Sequence, residues 1–243
     1  MRVAIVSDIH ANRQALEAVL EHVRVTECEA LWCLGDLVGY GGDPDACVAL
    51  VREQADICLA GNHDLAVTGA LSIEDFSDAA RRSAEWTREI ITPETRSFLE
   101  TLAPSDEDQV VSLYHASPRD PVWEYVLSPL QAELGFDVQP ERIAAVGHTH
   151  VALEFHRFEG DSATGQTRHA DDELDLSVGH WLLNPGSVGQ PRDGDPRAAW
   201  MQLDTEAWTA VYRRTEYDID GAAWAIRAAR LPDSLAERLS FGQ

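Results

Sequence analysis

Seven side chains able to hold a divalent metal stand at intervals along this 243-residue chain, each just after a short apolar run. Asp8 and His10 follow Arg2–Ser7, and Asp36 follows Ala30–Leu34. Asn62 follows Ile57–Ala60, His115 follows Val110–Tyr114, and His148 and His150 follow Ile143–Val146. Two carboxylates, one amide oxygen and four imidazoles are more donors than a single tetrahedral ion needs. Oxygen and nitrogen donors without thiolate suit two octahedral-leaning ions, Mn, Fe or Ni ahead of Zn or Mg. Asp36 stands alone at its strand end and is the natural bridge between them. Two such ions bring a charge of +4 against −2 from Asp8 and Asp36, a local surplus able to hold a phosphate in an acidic protein. Any one of these histidines alone reads better as a structural residue; their joint placement at strand ends argues for a metal site.

The elements that must position these donors are legible as a rhythm. Arg2–Ser7 has the Val/Ile content of a strand. Leu16, Val19, Leu20 and Val23 recur at helical spacing, which predicts a helix over Arg13–Val25 with Asn12 as its cap. Strand Ala30–Leu34, helix Asp45–Gln54 and strand Ile57–Ala60 continue the alternation, so an α/β arrangement with parallel strands is expected. Residues 73 to 102 read as helical with a break at Thr92-Pro93. Further strands are expected at Val110–Tyr114 and Ile143–Val146, then an antiparallel set at Ala152–Phe158, Trp181–Leu183, Ala198–Leu203 and Trp208–Thr215. Gly160–Asp175 is polar and acidic and reads as an exposed hairpin or loop. A helix over Gly221–Ala229 closes the pattern. No repeat or linker is visible, so residues 1–243 are expected to form a single domain. In open α/β sheets ligands gather beyond the carboxyl ends of the strands, where these donors stand. The i, i+2 spacing of Asp8/His10 and His148/His150 would turn each pair to one side of an extended backbone.

Charge narrows the partners. Forty-two acidic residues face nineteen basic ones, all of them arginine, for a formal charge of −23. Such a chain repels a polyanion, since nucleic-acid affinity comes chiefly from basic groups displacing counterions. No stable binding of nucleic-acid polymers is expected, and a phosphate substrate must be drawn in by local positive charge. No apolar run is long enough to span a membrane. The start, Met1-Arg2-Val3-Ala4-Ile5-Val6-Ser7-Asp8, lacks the form of a signal peptide, so a cytoplasmic protein is expected. Cys28, Cys33, Cys47 and Cys58 form no C-x-x-C pair, have apolar neighbours and read as buried reduced thiols.

Asp8-x-His10, Gly35-Asp36, Gly61-Asn62-His63-Asp64, His115 and Gly147-His148-Thr149-His150 resemble, in order, the motifs of the calcineurin-like metallophosphoesterases. Ser7–Asn12, Gly35–Gly41 and Asn184–Arg192 are similar to the small bacterial and archaeal phosphodiesterase-type branch. The resemblance implies a four-layer sandwich: two mixed β-sheets packed face to face with helices on the outer faces. It implies that Asp8, His10, Asp36 and His150 hold one metal and Asp36, Asn62, His115 and His148 the other. His63 would face the substrate phosphate and leaving group and give the leaving oxygen a proton, with Asp64 keeping the imidazole charged.

The activity implied is hydrolysis of a small or nucleotide-like phosphodiester by a metal-bridging hydroxide. A phosphomonoesterase or protein phosphatase is the second reading. A binding scaffold on the same fold is the third, and it would show eroded ligand positions. Asn12 either only caps its helix or also touches phosphate. Asn184, Ser187 and Arg192 lie in a Gly/Pro-rich loop and serve either the turn or the substrate, Arg192 being the best suited to phosphate. His22, His156 and His169 read as bystanders. Trp123, Trp181, Trp200, Trp208 and Trp224 read as core or edge aromatics and not as stacking platforms.

Overall fold

The computed structural model describes residues 1–243. In chain order the first half runs β1 (Arg2–Val6), α1 (Arg13–Arg24), β2 (Ala30–Cys33), α2 (Pro44–Gln54), β3 (Ile57–Cys58), α3 (Asn62–Thr68), α4 (Asp78–Ile90) and α5 (Pro93–Leu99). Then come β4 (Ser105–Asp106), β5 (Ser112–Tyr114), α6 (Pro129–Phe136), β6 (Ile143–Ala145), β7 (Ala152–Arg157), β8 (Thr164–Thr167) and β9 (Glu173–Asp175). The chain ends with β10 (His180–Pro185), β11 (Ala198–Asp204), β12 (Thr209–Thr215), α7 (Ile219–Ala228), α8 (Asp233–Glu237) and a 3₁₀ turn, Arg238–Phe241. No helix is long and apolar enough to cross a membrane.

Two six-stranded mixed sheets result, in the orders β3-β2-β1-β11-β12-β9 and β4-β5-β6-β10-β7-β8. Alternation along β1 explains how they pack. Val3 and Ile5 point into a core between the sheets, with Leu113, Ile143, Leu183 and Met201. Ala4 and Val6 point the other way, onto Leu16 and Val19 of α1 and Val48 and Val51 of α2. The outer face of the second sheet is covered by Ala132 and Phe136 of α6, against Ala144, Phe155 and Leu182. The order is therefore helices, sheet, sheet, helix, the four-layer sandwich expected.

Several boundaries differ from the sequence reading. The stretch 73–102 begins with turns, and its helices are α4 and α5. Ser77 and Thr92 cap them, their hydroxyls accepting from Ala80 N and Thr95 N. The acidic 160–175 segment is not one hairpin. Its first strand, β8, extends the second sheet beside β7, and its second, β9, extends the first sheet beside β12. Periodicity misses these strands because β8 is exposed throughout and β9 buries only Leu174. The helices α6 and α8 also escaped: both are short, and α6 has almost no amphipathic pattern. All four cysteines are free thiols, but only Cys33 and Cys47 are buried; Cys28 and Cys58 are partly exposed, near the edge of the first sheet's helical layer.

Candidate metal centre

Strand ends from both sheets meet at one place. Asp8, Asp36 and Asn62 come from the ends of β1, β2 and β3 in the first sheet, and His115, His148 and His150 from the ends of β5 and β6 in the second. Their ligand atoms fall into two groups. Asp8, His10, Asp36 and His150 offer atoms within 4.8 Å of one another, and Asp36, His115 and His148 do the same. Asp36 belongs to both: its Oδ2 lies 3.5 Å from His10 Nε2 and 3.6 Å from His115 Nε2. The Asn62 amide oxygen joins the second group, 3.2 Å from His115 Nε2.

The backbone that presents these groups is not extended, as the i, i+2 spacing suggested. Asp8, His10, Asp36, His148 and His150 all have φ between 49° and 66°. Such left-handed conformations cost a non-glycine residue of order 1–3 kcal/mol each and persist only where the surroundings enforce them. Here the enforcing contacts are visible. His148 N donates to Asp8 Oδ2 at 3.0 Å, and His63 N donates to Asp36 Oδ1 at 2.8 Å. The Ser187 hydroxyl donates to Asp8 O at 2.7 Å. Gly39 has a φ of +87° and lies against the His63 ring, so a side chain there would displace the imidazole.

Carbonyl groups orient the imidazoles. His10 Nδ1 donates to Val38 O at 3.0 Å, His115 Nδ1 to Leu34 O at 2.9 Å, and His150 Nδ1 to Gln190 O at 2.7 Å. Each bond leaves Nε2 with a free lone pair, the arrangement typical of a metal-ligating histidine. As a result His10 Nε2 and His150 Nε2 present lone pairs to each other at 3.0 Å. Two lone pairs at that distance repel unless a cation lies between them. The titration behaviour has the same origin. Burial holds the imidazoles of His10, His148 and His150 well below the ordinary histidine range, aided by neighbouring positive groups. Burial also pushes Asp8 up to about 7, and burial and the neighbouring Asp64 carboxyl raise Asp36 well above the usual carboxylate range. Buried neutral imidazoles around under-compensated carboxylates fit a divalent metal centre.

A cavity of about 280 Å³ opens over this floor, reached by Asp36, Asn62, His148 and His150. Its walls include His63, Tyr40, Phe76, Trp123, Tyr125 and two arginines, Arg192 and Arg238. Residues 1–207 match the calcineurin-like phosphoesterase superfamily domain. The chain belongs to that superfamily. It is similar to an uncharacterized protein of Methanocaldococcus jannaschii, 36% identical over 246 residues, covering 99% of this chain and 98% of that one. Among solved structures it is similar to a metallophosphoesterase from Sphaerobacter thermophilus, at 40% identity and a TM-score of 0.90, covering 100% of this chain and 99% of that one. A hypothetical protein from Pyrococcus horikoshii OT3 shares the fold at 19% identity, with a TM-score of 0.81 and coverage of 100% and 98%.

Family membership and the intact donor cluster make the chain a metal-dependent phosphoric ester hydrolase. The cavity receives His63 and Arg192 but not Asn12. The Asn12 amide is occupied elsewhere: Oδ1 accepts from Ala15 N at 3.1 Å, and Nδ2 donates to Gly189 O at 2.8 Å. Its helix-capping role is what the contacts support. Asn184 and Ser187 likewise hold loops, Asn184 Nδ2 donating to Gly147 O at 2.7 Å.

Asp64 departs from expectation. Its carboxylate accepts from the backbone N–H groups of Leu37, Val38 and Gly61, and it pins the Asp36 loop without pairing with His63. With no anionic partner, the His63 imidazole is held down to about 3, by burial first and then by Arg192 and His115. Trp123 also departs, since it lines the cavity. Tyr40, Tyr125, Phe76 and Arg238 were not singled out from the sequence. Tyr40 could have been, because it lies inside the Gly35–Gly41 string; the other three stand in stretches with no motif.

Proposed function

We propose that this phosphoesterase is a two-metal phosphodiesterase acting on small or nucleotide-like esters. The observation that carries the reading is the position of Asp36, shared by two donor groups at the floor of a cavity that Arg192 overhangs. Asp8, His10, Asp36 and His150 hold one ion; Asp36, Asn62, His115 and His148 hold the other. Divalent ions held there would supply Lewis-acid charge to the phosphate and acidify a bound water. Mn, Fe or Ni suit the donors best, with Zn and Mg as alternatives.

The chain's own groups supply the rest. Arg192 takes non-bridging phosphate oxygens, for which a guanidinium has matching geometry. Tyr40 and Tyr125 stand beside that guanidinium and limit its movement, Tyr40 with its ring 5.8 Å away. His63 has a buried Nδ1 without a hydrogen-bond partner, and the ring lines the cavity. It is neutral in the resting protein. A phosphate anion beside it opposes the Arg192 charge and raises the imidazole, which favours the protonated form that a leaving oxygen needs. The walls formed by Phe76, Trp123 and Tyr125 favour a small ester over phosphate on a folded protein. A scaffold role is disfavoured because every donor and His63 are in place.

The test is a panel of phosphodiesters and phosphomonoesters assayed after chelation and again with Mn, Ni, Mg or Zn. Hydrolysis should vanish on chelation and return with a transition metal, with diesters preferred over monoesters. Equal activity in metal-free protein would overturn the metal reading, and a monoester preference would overturn the diester reading. A gel shift with duplex DNA at physiological salt should show no complex at micromolar protein.

A further inference from the structure

Residues beyond 207 lie outside the stretch that matches the superfamily domain, yet one of them, Arg238, lines the cavity. Helices α7 and α8 and the turn after them pack through Ala222, Ile226, Leu235 and Leu239, with Tyr40 at the edge of that cluster. Gly42 meets the backbone of Ala225, and Gly194 N donates to Gly242 O at 3.0 Å. The C-terminal segment is thus locked onto both loops that carry site residues, 36–42 and 186–195. Arg238, at the start of the final turn, reaches the cavity as a consequence.

The two cavity arginines share a single neutral acceptor. Arg192 Nη2 donates to Gln190 Oε1 at 2.9 Å, and Arg238 Nη1 donates to the same oxygen at 3.2 Å. That places the two nitrogens within about 6 Å of one another. Gln190 also accepts from the metal-site residue His150 through its backbone carbonyl, so the pair is anchored to the metal floor. The neighbouring arginines are treated differently: Arg197 is paired with Asp195 and Arg214 with Asp193. In a chain with forty-two acidic residues, the cavity arginines are instead left without a carboxylate partner, and Arg192 Nε is buried with no acceptor. Two like charges held this close on a half-buried wall are unfavourable until an anion joins them. Burial and the Arg192 charge correspondingly hold the Arg238 guanidinium below its ordinary range. Aromatic surface is close by, with Phe76 and Trp123 packed edge to face at 5.7 Å on the same cavity.

We propose that Arg192 and Arg238 form a second anion subsite, and that the substrate carries a further phosphate joined to the one hydrolysed, as in nucleoside polyphosphate-type compounds. This rests on the phosphoesterase reading of the donor cluster and adds the class of its substrate. Arg192 spans the scissile phosphate and its neighbour, Arg238 holds only the neighbour, and Phe76 and Trp123 receive the aromatic base.

The test uses two probes that cannot be hydrolysed, methylphosphonate with one anionic group and methylenediphosphonate with two. Binding to the Mn-loaded protein is measured by calorimetry. The wild type should favour the diphosphonate, and in Arg238→Gln that preference should fall about 10- to 100-fold, the range expected for losing a charge-assisted bond. Arg238→Lys should recover part of it. Metal content and Tm are measured on each variant. If Arg238→Gln fails to fold, Arg238→Met takes its place, and an unchanged preference in that folded, uncharged variant overturns the subsite. An unchanged preference in a folded Arg238→Gln protein overturns the subsite, since the metals alone would then account for it. Hydrolysis of bis-p-nitrophenyl phosphate by the wild type is followed in parallel. If hydrolysis is present but the preference does not depend on Arg238, only the subsite fails. If the preference depends on Arg238 but there is no hydrolysis, the phosphodiesterase reading fails while the subsite stands.

Discussion

On one side of Asp36 the donors are the Asp8 carboxylate and the imidazoles of His10 and His150; on the other they are the Asn62 amide and the imidazoles of His115 and His148. The first group includes two carboxylates and the second only one, Asp36 itself. Both histidines of the first group are aligned by carbonyls on their non-ligating nitrogens. In the second, His115 has that support, but His148 faces His115 through Nδ1, and its Nε2 lacks a well-formed partner, with only the Trp123 carbonyl nearby. His148 is instead positioned by stacking under Tyr125, at 4.1 Å between ring centres, and Tyr125 is 42% exposed. Charge and outer support therefore both favour the first group. An ion there should bind tightly and stay, whereas an ion in the second should exchange more readily and depend on the cavity wall.

The comparison can be broken most severely at the shared residue. Asp36→Asn removes the charge common to both groups, so elemental analysis should find both ions depleted. Activity should fall by about 10³-fold or more, as several kcal/mol of transition-state stabilisation disappear. Two ions retained in this variant would end the bridging assignment. His63→Ala comes next. It should keep both ions and the fold while losing about 10²–10⁴-fold in turnover on an ester with an alkoxide-like leaving group. The loss should be smaller with a nitrophenolate, which needs little protonation. Equal losses would reduce His63 to orienting phosphate, and loss of an ion would make it a ligand.

A smaller effect sharpens the asymmetry. Asn62→Ala should weaken only the second ion, by about 10- to 100-fold, the size of effect seen when a metal site loses supporting contacts. Asp8→Asn should weaken the first ion and leave the second bound. Competition with a graded chelator reads both, and equal weakening of both ions by either variant would show that the groups are not distinct.

The mildest test is pH. The folded pKa of Asp8, about 7, lies above its ordinary value of 3.8. Ionising Asp8 therefore destabilises the metal-free fold: the stability is present below pH 4 and is lost as pH rises towards 7. The metal needs the ionised form, so the two trends oppose. The Tm gap between Mn-loaded and metal-free protein should be wide above pH 7 and narrow as pH falls below it. A gap independent of pH would remove Asp8 from the metal site.

Much of the site was legible because its donors occupy strand ends, and strand ends can be read from local apolar runs. Asp8, Asp36, Asn62, His115 and His148 could be located in this way without any long-range information. The conformation at those ends could not. The spacing of Asp8 and His10 suggested an extended turn to one side, and the structure has both residues at positive φ. His148 and His150, which fall in different donor groups, are at positive φ as well. Asp64 was assigned to the wrong neighbour for a related reason. Adjacency in sequence suggested His63, but once α3 begins at Asn62 the Asp64 carboxylate meets the N–H groups of Leu37, Val38 and Gly61.

Residue types and their order determined that this chain would gather seven metal donors at the edge of an α/β framework, because donor chemistry and strand propensity are both local properties. Those local properties also gave the alternation along β1 and the capping of α1 by Asn12. Only the tertiary structure decided what surrounds the donors. Tyr125, Trp123 and Phe76 lie in stretches without a motif, and Arg238 stands nearly ninety positions after His150. They reach one cavity because two sheets pack face to face and the C-terminal helices lock onto the loops at their edge. The two arginines that share Gln190 Oε1 belong to different elements, and nothing in either local sequence announces the other. Such a pair is created by packing, which depends on contacts between segments far apart in the chain, and a one-dimensional pattern does not carry that information.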